Sequence, residues 1–286
     1  MNSNGQTLPD TLLPKETAGS AERAGLDKAS ASFINTFALA VLAGAFIALG
    51  AIFSTVATTG AFHSFGMQRL LAGLTFSLGL ILVVVTGAEL FTGNNLMVMA
   101  WAGGKLRNRE LIRNWIIVYT GNMAGAFSMV IFIFLSGHHL NGSGTVGVKM
   151  VQIAHAKCQI GFLQAVVLGI LCNILVCLAV WMCYSTRSVQ GRILAIVFPI
   201  TAFVAAGFEH SVANMYFIPA GIVTERWGGE EIAGLLRAGG YSGGLLTWRA
   251  FIGNLLPVTI GNILGGSLFV GFVYWFIYLR KSNEKK

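Results

Sequence analysis

The sequence predicts an all-α membrane protein: six transmembrane helices forming two inverted three-helix repeats, the second and fifth helices broken in mid-membrane. Three observations carry this expectation. Only 10% of the 286 residues are charged and 55% are hydrophobic, whereas roughly 25% of an average soluble domain is charged. Long intervals contain no acidic, basic or histidine side chain. Short polar interruptions recur at equivalent places in the two halves.

A helix needs roughly 20 apolar residues to cross the hydrocarbon. The first 30 residues are polar and carry no apolar leader segment, so the first span, about 34–57, is expected to insert the chain and remain. It lies in an uncharged interval between Lys28 and His63. The second, about 70–100, contains Glu89 alone between Arg69 and Lys105. The third covers about 114–136 and the fourth about 159–184. Cys158, Cys172, Cys177 and Cys183 cluster on the fourth, at spacings that suit neither zinc nor a disulfide framework, and read as small packing residues. The fifth, about 193–222, holds Glu209 and His210 between Arg192 and Glu225, and the sixth, about 250–279, has no charge from Phe251 to Leu279. The chain thus divides into an N-terminal segment (1–30), a membrane domain (31–280) and a tail (281–286).

Thirteen lysines and arginines fall on the side that holds both termini and six on the other, so both termini are expected to be cytoplasmic. The net charge of +8 is therefore mostly a topology signal. Nothing resembles a basic, aromatic-bearing soluble face for nucleic acid.

The third and sixth spans agree in register: Asn114 precedes Gly121-Asn122-Met123-Ala124-Gly125, and Asn254 precedes Gly261-Asn262-Ile263-Leu264-Gly265. With three spans per half, such a repeat is inverted. The four glycines have the small-xxx-small spacing of close helix packing. The second span is interrupted at Glu89-Leu90-Phe91-Thr92-Gly93-Asn94-Asn95 and the fifth at Gly207-Phe208-Glu209-His210-Ser211. A carboxylate at this depth needs a partner or an aqueous cavity, and paired broken helices point to a solute site at the midplane. The glutamates either line that path or tie down the breaks.

Gly87-Ala88-Glu89-Leu90-Phe91-Thr92-Gly93, the run Cys172 to Met182, and Gly207-Phe208-Glu209-His210-Ser211-Val212-Ala213-Asn214-Met215 resemble the signatures of the bacterial formate–nitrite transporter family. The stretches Asn254 to Asn262 and Met215 to Gly221 resemble its formate channels most. The resemblance, over about 30–280, implies an aquaporin-like protomer, a homopentamer in the inner membrane and a pore through each protomer. By position, His210 corresponds to the central histidine, Thr92 to the loop threonine, Asn173 to a pore-lining asparagine and Lys157 to the lysine at the periplasmic mouth; Glu209 precedes the histidine on the same path. It implies apolar constrictions at Leu80, Leu90, Phe91 and Val176 on the cytoplasmic side and at Phe76 and Phe203 on the other. The stretch Thr11 to Lys28 resembles the family's N-terminal helix at the cytoplasmic mouth, which implies a gating role.

These residue types suit a weak-acid anion. An apolar constriction disfavours the charged form, and a cation at the mouth, a role for Lys157 if it is more than a helix flank, raises the local anion concentration. His210 is the only histidine expected within the membrane; it either exchanges a proton with the solute or, staying neutral, donates a hydrogen bond. Formate, nitrite and hydrosulfide all fit this description. A single intramembrane histidine does not suit haem or zinc ligation, so no cofactor or metal is expected, and the chain reads as a transporter rather than an enzyme. The asparagine-proline-alanine loops of water channels are absent.

Overall fold

The computed structural model describes residues 11–62 and 64–280; residues 1–10, His63 and the tail 281–286 lie outside the described residues. In chain order the helices are α1 (Pro14–Ser30), α2 (Phe33–Ala57), α3 (Phe65–Thr86), a 3-10 turn (Gly93–Met97) running into α4 (Val98–Ala102), and α5 (Asn108–Leu135). The second half follows as α6 (Thr145–Cys158), α7 (Phe162–Ser185), α8 (Val189–Ala206), α9 (Ser211–Trp227), α10 (Gly229–Ala238), and α11 (Trp248–Ile263), which continues through a π-helical stretch (Leu264–Phe272) into α12 (Val273–Tyr278). Among the described residues, six elements are long and apolar enough to span, α2, α3, α5, α7, α8 and the α11–α12 unit, as the sequence predicts. The 137–158 connection, in contrast, is mostly helix: α6 docks along α9.

The inverted repeat is visible in the packing. α2 packs on α5 as α7 packs on α11, and α3 meets α8 at the centre. In lipid there is no hydrophobic gain from bringing helices together, so close approach through small residues carries the association. A Cβ on Gly125 would collide with the carbonyl of Val41, and one on Gly265 with the carbonyl of Ile170, its repeat equivalent. The exterior carries exposed Phe65, Leu163, Phe198 and Leu135, whereas Asn122, Asn173, Asn214 and Asn262 are fully buried. This inside-out distribution is what a bilayer solvent requires.

Side-chain caps start the membrane helices. Ser32 accepts from Asn35 N–H, Ser188 from Gly191 N–H and Thr247 from Ala250 N–H, each satisfying a donor that has no partner in the first turn. The helix spanning α1 covers the stretch that resembles the family's N-terminal helix, and it packs against the 3-10 turn, α4 and α7.

Candidate functional site

Both central breaks are made the same way. α3 ends at Gly87 (φ +78°) and α8 at Gly207 (φ +80°), left-handed positions that cost a side chain dearly and glycine little. The freed backbone is then bound by an asparagine from the third span of the same half. Asn122 accepts from Phe91 N–H (2.9 Å) and donates to the carbonyls of Glu89 (2.8 Å) and Ala40 (2.7 Å). Asn262 repeats this with Ser211 N–H (2.9 Å), Glu209 (3.0 Å) and Gly169 (2.8 Å). Irregular backbone at membrane depth persists only when satisfied in this manner.

The carboxylates follow the same symmetry. Glu209 receives Lys157 Nζ on Oε1 (2.8 Å) and Asn214 Nδ2 on Oε2 (2.6 Å). Glu89 receives Lys28 Nζ (2.6 Å) and Asn94 Nδ2 (2.6 Å). Asn114 and Asn254 complete each cluster by accepting from Asn94 (2.9 Å) and Asn214 (2.7 Å) and donating to the carbonyls of Lys28 and Lys157. The two readings of the glutamates therefore combine: each is fully engaged in tying down its break, and each also lines a cavity.

There are two such cavities. One, the outer cavity in the orientation that the sequence predicts, of about 320 Å³, is lined by Lys157, Glu209, His210, Phe76, Phe203 and Phe217 among others. The other, the inner cavity in that predicted orientation, of about 310 Å³, is lined by Lys28, Glu89, Leu80, Leu90, Gly93 and Arg192 among others. They share no lining residue. Each is thus fronted by a lysine held on a carboxylate.

His210, in the wall of the first cavity, meets Thr92, which lies between Leu90 and Gly93 of the second. Thr92 Oγ1 and His210 Nε2 are 3.0 Å apart, both buried. His210 is also the N-cap of α9, and Ala213 N–H donates to its Nδ1 (3.1 Å). A backbone N–H can only donate, so Nδ1 carries no proton and a neutral ring holds its proton on Nε2, facing Thr92. The N-terminus of α9 adds a positive potential equivalent to roughly half a charge at this point. On the Lys157 side, Phe203 stacks on His210 (5.9 Å) and meets Phe76 edge-on (5.8 Å).

Asn173 is fully buried beside Thr92 and lines neither cavity, and its amide nitrogen is committed to protein. Nδ2 faces the carbonyl of Asn262 (2.7 Å), Asn95 Oδ1 (2.8 Å) and the carbonyl of Thr92 (3.3 Å), leaving only Oδ1 without a partner. Leu80 and Leu90 line the inner cavity. Val176 is buried one helical turn from Val180, which lines that cavity. Phe91 lines neither cavity: its ring packs edge-on against Tyr119 (4.9 Å) and Trp115 (6.2 Å) and lines a groove between α5 and α11, while its N–H is held by Asn122.

Comparison with known proteins agrees with this architecture. A family model described as formate/nitrite transporter matches residues 15–276. The chain belongs to the formate/nitrite transporter family. Formate channel FocA of Escherichia coli (strain K12) is 46% identical over 277 residues, covering 96% of this chain and 97% of the relative. FocA of Haemophilus influenzae is 39% identical, covering 95% and 96%. A solved structure described as a pentameric formate channel with formate bound superposes with a TM-score of 0.80 at 43% identity, covering 87% of this chain and 98% of that one. Membership makes this a multi-pass membrane transporter, not an enzyme.

For this family member, sequence reasoning missed Lys28 and the asparagines at 94 and 214. A signal was present. Lys28 and Lys157 each stand five residues before a phenylalanine that opens the next helix, Phe33 and Phe162, so α1 and α6 are themselves equivalent members of the repeat. Asn94 and Asn214 each follow their glutamate by five residues. Arg69 was missed too: its guanidinium donates to the carbonyls of Ala205 (2.9 Å) and Val204 (2.8 Å) at the end of α8 and lines the outer cavity.

Proposed function

We propose that this protein is a formate channel of the bacterial inner membrane, a homopentamer with one pore per protomer and both termini cytoplasmic. The relatives named formate channels and the pentameric formate-bound neighbour support the substrate and assembly. The excess of lysine and arginine on one side supports the orientation. The observation that carries the mechanism is the Thr92–His210 pair placed between two lysine-fronted cavities.

A formate anion is drawn to the mouth by Lys157 or, from the cytoplasm, by Lys28. It exchanges water for donors at this pair, where the Nε2–H of His210 and the hydroxyl of Thr92 offer hydrogen bonds and the α9 N-terminus favours negative charge. The resting tautomer supports His210 as a donor. Proton exchange would require Nδ1 to give up Ala213 N–H, so it would be coupled to loosening of the first turn of α9.

The test is flux into proteoliposomes of the purified protein, comparing formate, nitrite and hydrosulfide. Formate flux that exceeds the other two is the expected result. Faster nitrite or hydrosulfide would keep the pore reading and replace the substrate. No flux of any of the three would remove the proposal.

A further inference from the structure

On the cytoplasmic side, below the inner cavity, a second cleft of about 520 Å³ separates α1 from the turn joining α7 to α8. It adjoins the inner cavity, with which it shares Cys183, Tyr184 and Arg192, and it holds neither Glu89 nor Lys28. Its walls carry four cations, Lys15 and Arg23 on α1 and Arg187 and Arg192 on the turn and the start of α8, against one carboxylate, Glu16.

Among the described residues, none of the four cations lies within ion-pair distance of a carboxylate. The remaining α1 cation, Lys28, is paired with Glu89, and the buried carboxylate of α1, Glu22, is taken by Lys105 (2.7 Å). Glu16 accepts from the backbone N–H of Leu13 (2.9 Å). Arg23 finds only the hydroxyl of Ser20 (3.0 Å). The Nε of Arg192 is buried and has no partner at all. A buried guanidinium nitrogen without an acceptor costs free energy that a bound anion would recover. The rim is closed by backbone contacts from the chain before α1: Leu12 N–H donates to the carbonyl of Ser185 (2.7 Å), and Thr11 bridges Thr186.

Like charges gathered in one cleft repel unless an anion joins them. The cleft's volume is in the range of small-molecule sites, far larger than a three-heavy-atom carboxylate fills. Three of its four cations are arginines, whose planar forks match phosphate oxygens. We propose that this cleft binds a multivalent phosphate-bearing anion, which bridges α1 to the α7–α8 turn. The ligand is either a free polyphosphate or the headgroup of an anionic lipid. Because the site holds the helix that carries Lys28, it would set how firmly that lysine is kept at the inner mouth; this consequence rests on the channel reading, the binding does not.

The test uses the full-length protein in detergent, titrated with inorganic pyrophosphate by calorimetry. In parallel, it is reconstituted in nanodiscs of phosphatidylcholine with and without phosphatidylglycerol. The expected result is saturable pyrophosphate binding that weakens at least tenfold in Arg23→Gln/Arg187→Gln, with slowed hydrogen exchange of the α1 amides in the wild type on binding. Retention of phosphatidylglycerol by the wild type but not by the variant, competed by pyrophosphate, would identify the lipid as the source. Lys15→Gln/Arg187→Gln serves as a second variant should the first not fold. If neither pyrophosphate nor phosphatidylglycerol distinguishes wild type from variants, or if binding leaves the α1 amides unchanged, the proposal is wrong. Formate flux is not part of this readout, so failure here and failure of the channel reading are separable.

Discussion

His210 has two jobs in the structure, and a pair of substitutions separates them. Nδ1 caps α9 through Ala213 N–H, while Nε2 faces Thr92. His210→Ala loses both. A lost N-cap costs about 0.5–2 kcal/mol and a lost buried hydrogen bond about 1 kcal/mol, so alanine should destabilise by about 1.5–3 kcal/mol. Asparagine is among the best N-caps, and its Oδ1 can accept from Ala213 in place of Nδ1, but its short side chain cannot offer a donor at the position of Nε2. His210→Asn should therefore cost only about 1 kcal/mol. Thermal unfolding of the purified protein would rank wild type, asparagine and alanine in that order. Formate uptake into proteoliposomes should fall at least tenfold in both variants, since both lack the Nε2 donor. Wild-type uptake by His210→Asn would refute the donor role; equal destabilisation by both variants would refute the cap role.

The remaining predictions concern the supports of the site. Lys28→Met should destabilise by about 1–3 kcal/mol by leaving Glu89 without its cation, less than a fully buried pair would show because Lys28 is about one-fifth exposed; Lys28→Met/Glu89→Gln should recover part of the loss in a double-mutant cycle of thermal stability. Asn122→Ala and Asn262→Ala each remove three buried hydrogen bonds, so each should cost about 3 kcal/mol, and similar losses in the two halves would check the equivalence of the repeats. Arg69→Gln removes a cation from the outer cavity and two bonds at the end of α8. The concentration for half-maximal uptake should rise, with a weaker dependence on external salt than in the wild type, as measured by uptake at two ionic strengths.

How legible the molecule was depends on the scale of the feature. Six spans, their inverted relation and the two breaks follow from the sequence because each rests on an exclusion that acts on every residue of a segment. Charges cannot sit in hydrocarbon, and a span long enough to cross is about twenty residues of visible pattern. Glu89, Glu209 and His210 stand out for the same reason, as ionisable groups where few are tolerated. The repeat of glycines and asparagines in the third and sixth spans was visible as a fixed register, and the structure gives it its cause in the Asn122 and Asn262 clamps.

Other features were decided by tertiary structure alone. Lys28 reads in the sequence as one more cytoplasmic positive charge; only the docking of α1 brings it to Glu89, sixty-one residues away. Phe91 adjoins Leu90 in the chain, yet one lines the inner cavity and the other packs on Tyr119, because a broken backbone has no periodicity from which side-chain direction can be read. The tautomer of His210 depends on a single N–H three residues ahead, which exists only once Ser211 begins a helix. The sequence by itself determined where the chain must cross the membrane and where it cannot remain helical, because hydration acts locally and on every residue. Which cation meets which carboxylate, and which nitrogen holds a proton, was left to the packed fold, because those depend on distances between segments that composition does not encode.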